Sequence, residues 1–335
     1  MKLIRPWGLP FVPFYYLGSL AVKKLYDWNV LKSKTYNLPI ITIGNLSAGG
    51  TGKSPFVIYL ANKLKGRNKI AVLSRGYGRS SKGFQFVDTT DSANHAGDEP
   101  LQLKQTHPEI TVAVDADRRN GIEELKKQHP DLIILDDALQ HRKVKAGLQI
   151  LLTAYYNLYS EDCMLPAGDL REPVSAAARA QIIIITKCPE NLPRLNQKEI
   201  LKKLKPLPYQ KVFFTAIVYA EEVFSVNANQ KLTDFLKEEF CLVTGIAEPK
   251  PLLDFLKEKD ARFQHLNFPD HHNFSKKELQ EIALHHKILT TQKDFMRLQH
   301  VEALRGKLFY LPITVSFLND EDQFLKLINK FIYTE

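Results

Sequence analysis

Short apolar runs rich in β-branched residues recur along the first 190 residues, and stretches of helical length separate them. The runs are Ile40–Gly44, Lys69–Ser74, Thr111–Asp115, Asp131–Leu135, Gln149–Thr153 and Gln181–Thr186, with a shorter candidate at Phe84–Val87. Pro55–Lys65, Leu101–Gln105 and Arg118–Gln128 have helical spacing. Strands that are apolar on both faces and alternate with helices predict an α/β fold, a parallel sheet covered by helices on both sides. Sites in such sheets form beyond the carboxyl ends of the strands. The distinctive loops 44–54, 75–78 and 136–141 all follow strands, so they are expected to converge.

The texture changes after Asn191. Residues 191–210 are rich in Lys, Leu and Pro and read as a helix with loops. A second β/α set follows: strands at Phe240–Thr244, Arg262–Phe268 and Lys287–Thr291, and helices at Pro249–Lys259 and Lys276–His286. Ser275-Lys276-Lys277-Glu278 has the form of a capping box, which fixes the start of the last helix. These patterns predict an N-terminal segment at 1–30, a P-loop domain at 31–220 and a smaller α/β domain at 221–335, with the boundary near 215–235.

The first segment has a character of its own. Seventeen uncharged residues, Pro6–Val22, lie between Lys2 and Arg5 on one side and Lys23 and Lys24 on the other. A membrane-spanning helix needs about 20 apolar residues, and this run carries Pro6, Pro10 and Pro13. The far basic flank and the missing cleavage site do not fit a signal peptide. Trp7, Phe11, Phe14, Tyr15 and Tyr16 between lysines suit a segment lying among lipid headgroups. The alternative is a helix packed on its own domain.

The strongest chemical signal is IITIGNLSAGGTGKSP, residues 40–55: strand, glycine-rich loop, then Gly52-Lys53-Ser54 opening a helix. Backbone N–H groups of such a loop turn toward one anion, and the helix N-terminus adds partial positive charge. The nucleotide site is therefore placed at Ser47, Ala48, Gly49, Gly50, Thr51, Gly52, Lys53 and Ser54, with Lys53 reaching the β/γ-phosphates and Ser54 offering its hydroxyl to Mg²⁺. ATPases that switch on membranes carry a second lysine where this chain has Ala48.

Asp136-Asp137 ends an apolar strand, where phosphate-loop enzymes keep an acid for Mg²⁺; a pair of turn-forming aspartates is the plain alternative. Asp98-Glu99 precedes Pro100 at a helix start. Asp98 there is either an N-cap or a base near the γ-phosphate, with Glu99 a Mg²⁺ partner. In the loop Leu165–Pro173, Arg171 could clamp a phosphate or form a salt bridge with its surroundings. Asp270-His271-His272 is either an exposed loop or the source of a histidine that orients a catalytic aspartate. No cysteine or paired carboxylate spacing supports zinc there.

Composition narrows the class. The 335 residues include 46 basic and 37 acidic side chains, a net charge of +9, which fits an acidic partner such as a nucleotide, an anionic lipid or nucleic acid. Cys163, Cys188 and Cys241 are scattered, which argues against a disulfide scaffold.

Taken together, GNLSAGGTGKSP (44–55), SRGYG (74–78), GDEP (97–100), DDALQH (136–141), LPAGDLREP (165–173), FPDHH (268–272) and TTQKD (290–294) resemble the tetraacyldisaccharide 4′-kinase family of lipid A biosynthesis. Ser54, Ala138 and Asp169 depart from the commoner Thr, Gly and Pro of that pattern. The resemblance implies transfer of the ATP γ-phosphate to the 4′-hydroxyl of a tetraacylated glucosamine disaccharide 1-phosphate. It implies Mg²⁺, two α/β domains joined by a short β-linker, and a peripheral or monotopic place on the cytoplasmic face of the bacterial inner membrane. By this resemblance Asp98 is the base, oriented by His271, and the lipid substrate meets Asn45, Tyr77, Arg171 and Glu172. No nucleic-acid partner is expected. The rivals are a nucleotide-driven membrane switch and a kinase acting on a soluble small molecule.

Overall fold

The computed structural model describes residues 5–226 and 228–333; Lys2 of the basic N-terminal flank lies outside the described residues. Two sheets organise the chain. The first contains β1 (Ile40–Asn45), β2 (Ile70–Ser74), β3 (Gln85–Phe86), β4 (Thr111–Val114), β5 (Leu132–Asp136), β6 (Leu148–Ala154), β7 (Ile182–Thr186) and β8 (Lys211–Tyr219). The second contains β9 (Glu222–Phe224), β10 (Asn229–Lys231), β11 (Phe240–Thr244), β12 (Phe263–Asn267), β13 (Ile288–Thr291) and β14 (Leu308–Leu311). A last strand, β15 (Ile313–Phe317), returns to the first sheet and pairs antiparallel with β8.

The first sheet has the order β15-β8-β7-β6-β1-β5-β2-β4-β3. Its strands run parallel from β8 to β4, with β3 and β15 antiparallel at the two edges. The connection from β1 leads to β2 on one side, and β5 leads to β6 on the other. The direction of winding thus reverses at β1, and the crevice at such a switch point is where ligands bind.

The helices, in chain order, are α1 (Val12–Asp27), α2 (Lys53–Leu64), α3 (Ala93–Ala96), α4 (Asp98–Thr106), α5 (Arg118–Lys126), α6 (Arg194–Leu204), α7 (Leu232–Phe235), α8 (Lys250–Glu258), α9 (Lys276–Ala283), α10 (Gln292–Leu298) and α11 (Glu321–Tyr333). One face of the first sheet is covered by α2, α4 and α11. Phe56 of α2 is fully buried with its ring 5.9 Å from Phe324 and 6.5 Å from Phe317. The opposite face is covered by α5, through Ile122 and Leu125, and by α6, through Ile200 and Leu204. Such burial contributes about 1.5–3 kcal/mol per large apolar side chain.

Among the elements not legible in the hydrophobic pattern are β8, β15 and α11. They also alter the expected partition. Residues 221–335 were expected to form one C-terminal unit, yet β15 completes the first sheet, and Phe324, Ile328 and Ile332 of α11 lie in its core. The second sheet accordingly occupies residues 222–311. The physical reason is the edge of β8, whose free hydrogen-bonding groups are satisfied by β15.

The two sheets meet through α4 and α10. Gln102 and Gln292 hydrogen-bond at 3.0 Å, and Gln292 also donates to Thr106 at 3.0 Å. The hydrophobic core runs continuously from Leu101 of α4 to Phe295 and Leu298 of α10.

Candidate active site

The phosphate loop leaves β1 at the switch point. Gly49 (φ 112°) and Gly52 (φ 78°) sit in backbone regions that a side chain would disfavour, and Gly52 caps α2, whose first residue is Lys53. The neighbouring loops brace the turn. Ala48 N–H donates to Asp169 O at 2.7 Å, Arg171 N–H to Leu46 O at 2.7 Å, and the Thr186 hydroxyl to Thr51 O at 2.7 Å.

Asn45 is fully buried at the root of the loop. Its amide donates to Ser47 O at 2.7 Å, and its Oδ1 accepts from Lys53 Nζ at 3.1 Å and from Arg171. Arg171 also pairs with Asp137 at 2.9 Å, and Lys53 lies 3.7 Å from the same carboxylate. Asn45 and Arg171, both expected at the lipid, thus hold Lys53 and Asp137 in one network. Glu172 is turned away from Arg171: it pairs with Arg179 at 2.6 Å and meets Gln140 at 3.3 Å.

The adjacent acids face different surroundings. Asp137 has φ 47°. Burial pushes its carboxyl up, but Lys53, Arg171 and Arg118 outweigh that and hold it below the usual range. Asp136 is buried; its Oδ2 accepts from Ser74 at 3.2 Å, and its Oδ1 has no partner. Burial, then Glu99 and Asp137, push its carboxyl up to about 7. Arg118, also fully buried, donates to Asp136 O at 3.2 Å, and burial lowers its guanidinium to about 10.

Ser54, Ser74, Glu99 and Asp136 line one narrow, otherwise apolar cleft between α2 and α4. Among the described residues no three His, Cys, Asp or Glu side chains are grouped to hold a metal. The donor set is instead two carboxylates and two hydroxyls. That suits Mg²⁺, which takes one or two carboxylates and completes its shell with water and substrate phosphates. The unpartnered Asp136 Oδ1 is the feature a cation there would satisfy.

The helix start at Asp98 resolves one alternative. Gly97 occupies the N-cap position, and Asp98 makes no capping bond. Its carboxylate, 5% exposed, instead reaches the second sheet's loops. Oδ2 meets His271 Nδ1 at 2.9 Å, and Arg297 grips both oxygens, with Nε to Oδ1 at 2.8 Å. Burial raises the Asp98 carboxyl, but the bonds from His271 and Arg297 prevail and set it below the ordinary value. His272 points elsewhere: its Nε2 lies 3.0 Å from Glu278 of the capping box, and its ring stacks on Phe268 at 5.0 Å. Tyr77, 72% exposed, makes an edge-type ring contact with His271, the ring centres 5.5 Å apart.

Arg297, Lys293 and Arg118 escaped the sequence reading as site residues. Lys293 lies within TTQKD, and Arg297 follows one helical turn later on α10. Thr291 caps that helix, and Asp294, buried, accepts from Gly245 N–H at 2.9 Å, so the motif anchors α10 against the loops that present His271.

A glycine-rich loop at the switch point of a parallel sheet, followed by Lys-Ser at a helix start and facing an acid at the end of a neighbouring strand, defines a P-loop nucleotide-binding protein. The family model described as tetraacyldisaccharide-1-P 4′-kinase matches residues 4–333. The tetraacyldisaccharide 4′-kinase of Flavobacterium johnsoniae is 45% identical over 99% of this chain and 98% of its own. That of Bacteroides thetaiotaomicron is 41% identical, covering 96% and 91%. The crystal structure of "apo" form LpxK from Aquifex aeolicus in complex with ATP superimposes with a TM-score of 0.77 at 31% identity, covering 97% of this chain and 98% of that one. The chain belongs to the tetraacyldisaccharide-1-P 4′-kinase family.

Proposed function

We propose that this chain transfers the γ-phosphate of ATP to the 4′-hydroxyl of a tetraacylated glucosamine disaccharide 1-phosphate, the step of lipid A biosynthesis for which its family is named. The observation that carries the mechanism is the placing of Asp98 and Glu99. Glu99 shares a cleft with Ser54 and Asp136, while Asp98 beside it is held by His271 from the other sheet. In this reading the acceptor hydroxyl meets the Asp98 carboxylate beside the phosphate site.

In this reading Lys53 and the N–H groups of residues 47–54 hold the β/γ-phosphates. Mg²⁺ held by Ser54, Asp136 and Glu99 would supply charge neutralisation at the phosphate oxygens. Asp98 accepts the proton of the 4′-hydroxyl, and His271 orients it. Closure of the second sheet over the first excludes water, so that the sugar hydroxyl is the nucleophile. Residues 31–220 with 313–333 act as the nucleotide lobe, and residues 222–311 as the lobe that carries His271. Tyr77, Arg171 and Glu172 flank the acceptor.

The N-terminal segment supports a membrane-bound acceptor. α1 has no buried residue, and Trp7, Phe11, Phe14 and Leu17 are 59–75% exposed. It is docked beside the site: Tyr15 donates to Arg171 O at 3.2 Å, and Lys23 meets Ser175 at 3.4 Å. No helix among the described residues is long and apolar enough to cross a membrane. Together these features suit peripheral attachment to the cytoplasmic face of the inner membrane, with the aromatic face in the headgroup layer.

The test is an assay with γ-labelled ATP and a tetraacyl disaccharide 1-phosphate in mixed micelles. Label should appear on the 4′-position and ADP release should require the lipid. Lys53→Ala should abolish transfer in a folded protein. ATP turnover without any acceptor, or preference for a soluble sugar, would refute the assignment.

A further inference from the structure

We propose that Lys293 is a positioning residue that sets the tautomer of His271, by donating to Nε2 so that the ring proton lies on Nδ1 and is aimed at Asp98. The inference rests on the reading of Asp98 as the base. His271 sits between two partners. Its Nδ1 lies 2.9 Å from Asp98 Oδ2, and its Nε2 lies 2.9 Å from Lys293 Nζ. An ammonium has three donors and no lone pair. Nε2 must therefore present its lone pair to Lys293, and the one remaining proton lies on Nδ1.

The same geometry disfavours the other protonation states. A proton on Nε2 would set donor against donor at Lys293 and turn the Nδ1 lone pair toward a carboxylate. A doubly protonated ring would keep the clash with Lys293 Nζ at 2.9 Å, closer to Nε2 than Asp270 Oδ1 at 3.9 Å. Arg297 lies 3.1 Å from Nδ1 and so could donate to a bare Nδ1, but its guanidinium already has the Asp98 carboxylate to bind. That arrangement would also leave Nε2–H facing Lys293. Lys293 is itself fixed: Nζ pairs with Asp270 Oδ1 at 2.8 Å, and its side chain is 19% exposed. Asp270 thus neutralises the ammonium while the ammonium sets the tautomer of the next residue. In hydrolase triads, where a hydrogen bond sets a histidine tautomer, the wrong tautomer costs up to about 10⁴-fold in kcat. Here the histidine only orients the base, so a smaller loss is expected.

The experiment uses the full chain labelled with ¹⁵N-histidine. In the wild type, the ring nitrogens of His271 should report a proton on Nδ1 and a bare Nε2; His271→Ala identifies the signal. Lys293→Met should move His271 toward the Nε2–H form and lower kcat about tenfold, a fraction of the ~10²–10⁴ that a positioned base supplies. The KM for ATP should not change. Lys293→Arg, which keeps the donor, should retain the tautomer and most of kcat. In a His271→Ala background, Lys293→Met should cost nothing further. An Nε2-protonated or doubly protonated ring in the wild type overturns the proposal, as does a tautomer indifferent to Lys293→Met or losses that multiply. The parent reading fails separately: Asp98→Asn with undiminished kcat removes the base, whereas the ring signal still decides what Lys293 does.

Discussion

Arg297 offers the sharpest test of how the two lobes are joined. Its guanidinium grips both oxygens of Asp98 across the lobe interface and donates through Nη1 to His272 O at 2.6 Å. Asp98 is 5% exposed, so Arg297→Met leaves a buried carboxylate with His271 as its main partner while the apolar stem is kept. Removing one partner of a buried pair costs about 3–5 kcal/mol. Roughly 0.5–1.5 kcal/mol of that is the orphaned His272 carbonyl and does not depend on pH. The remainder is the cost of keeping Asp98 ionised. In the wild type the Asp98 carboxyl lies below its ordinary value, so its stabilising contribution is present at neutral pH and is lost only as pH falls through that depressed value. Without Arg297 the largest influence left is burial, which raises the carboxyl. The mutant then pays a penalty that is full at pH 7 and shrinks as pH falls toward the unfolded value of about 4. Urea unfolding at pH 7.5 and pH 5 should show the deficit narrowing at the lower pH. Asp98→Asn/Arg297→Met should show no such narrowing. A deficit of equal size at both pH values in the single mutant would refute the reasoning.

Three further outcomes follow from the same structure. In metal-free protein, Asp136 has its carboxyl raised to about 7, so it destabilises the fold increasingly as pH rises from its unfolded value through that point; Asp136→Asn should therefore raise the thermal midpoint at pH 8, and Mg²⁺ should stabilise the wild type but not the mutant, as thermal scans with EDTA or Mg²⁺ would show. Gly8 packs against the backbone of Pro166 and Ala167, where an added Cβ would come within 2.8 Å of main-chain atoms; Gly8→Val should lift the N-terminal segment off the 165–173 loop and increase proteolysis near α1 while leaving the global unfolding midpoint almost unchanged. Replacing Phe14 and Leu17 by Ser should weaken flotation with anionic vesicles by about 3–6 kcal/mol in total, the burial of two large side chains, with the KM for lipid rising and that for ATP holding; undiminished flotation would show that this face does not enter the headgroup layer.

How far the sequence alone could lead depended on the distance between interacting residues. The phosphate loop was readable because strand, glycines, Lys53 and Ser54 are contiguous, and the capping box at Ser275–Glu278 was readable for the same reason. The core strands β1, β5 and β7 announced themselves because strands covered on both faces need no alternation. The pattern around β8 was less clear, since its last three residues are only partly buried. β15 is an edge strand whose partner lies far back in the chain. Asp98 and His271 could be nominated from their motifs, His271 over His272 by its position directly after Asp270; in space the Glu278 carboxylate takes the second histidine. Arg297 had no local signal at all. Its role exists because α10 packs against α4, and nothing within a few residues of either announces that pairing.

The return of β15 to the first sheet has a consequence for synthesis. β8 is made before residues 220–312, and only then does its antiparallel partner follow. At about 5–20 residues per second, a ribosome takes roughly 5–20 s over that interval. For that time the nascent nucleotide lobe carries an open strand edge and lacks α11, whose Phe324 and Ile328 seal the face around Phe56. The second sheet is therefore inserted within a lobe that has not yet closed. Premature termination after residue 312 would release a chain with both lobes largely formed but one raw edge, the kind of species that pairs with another copy of itself.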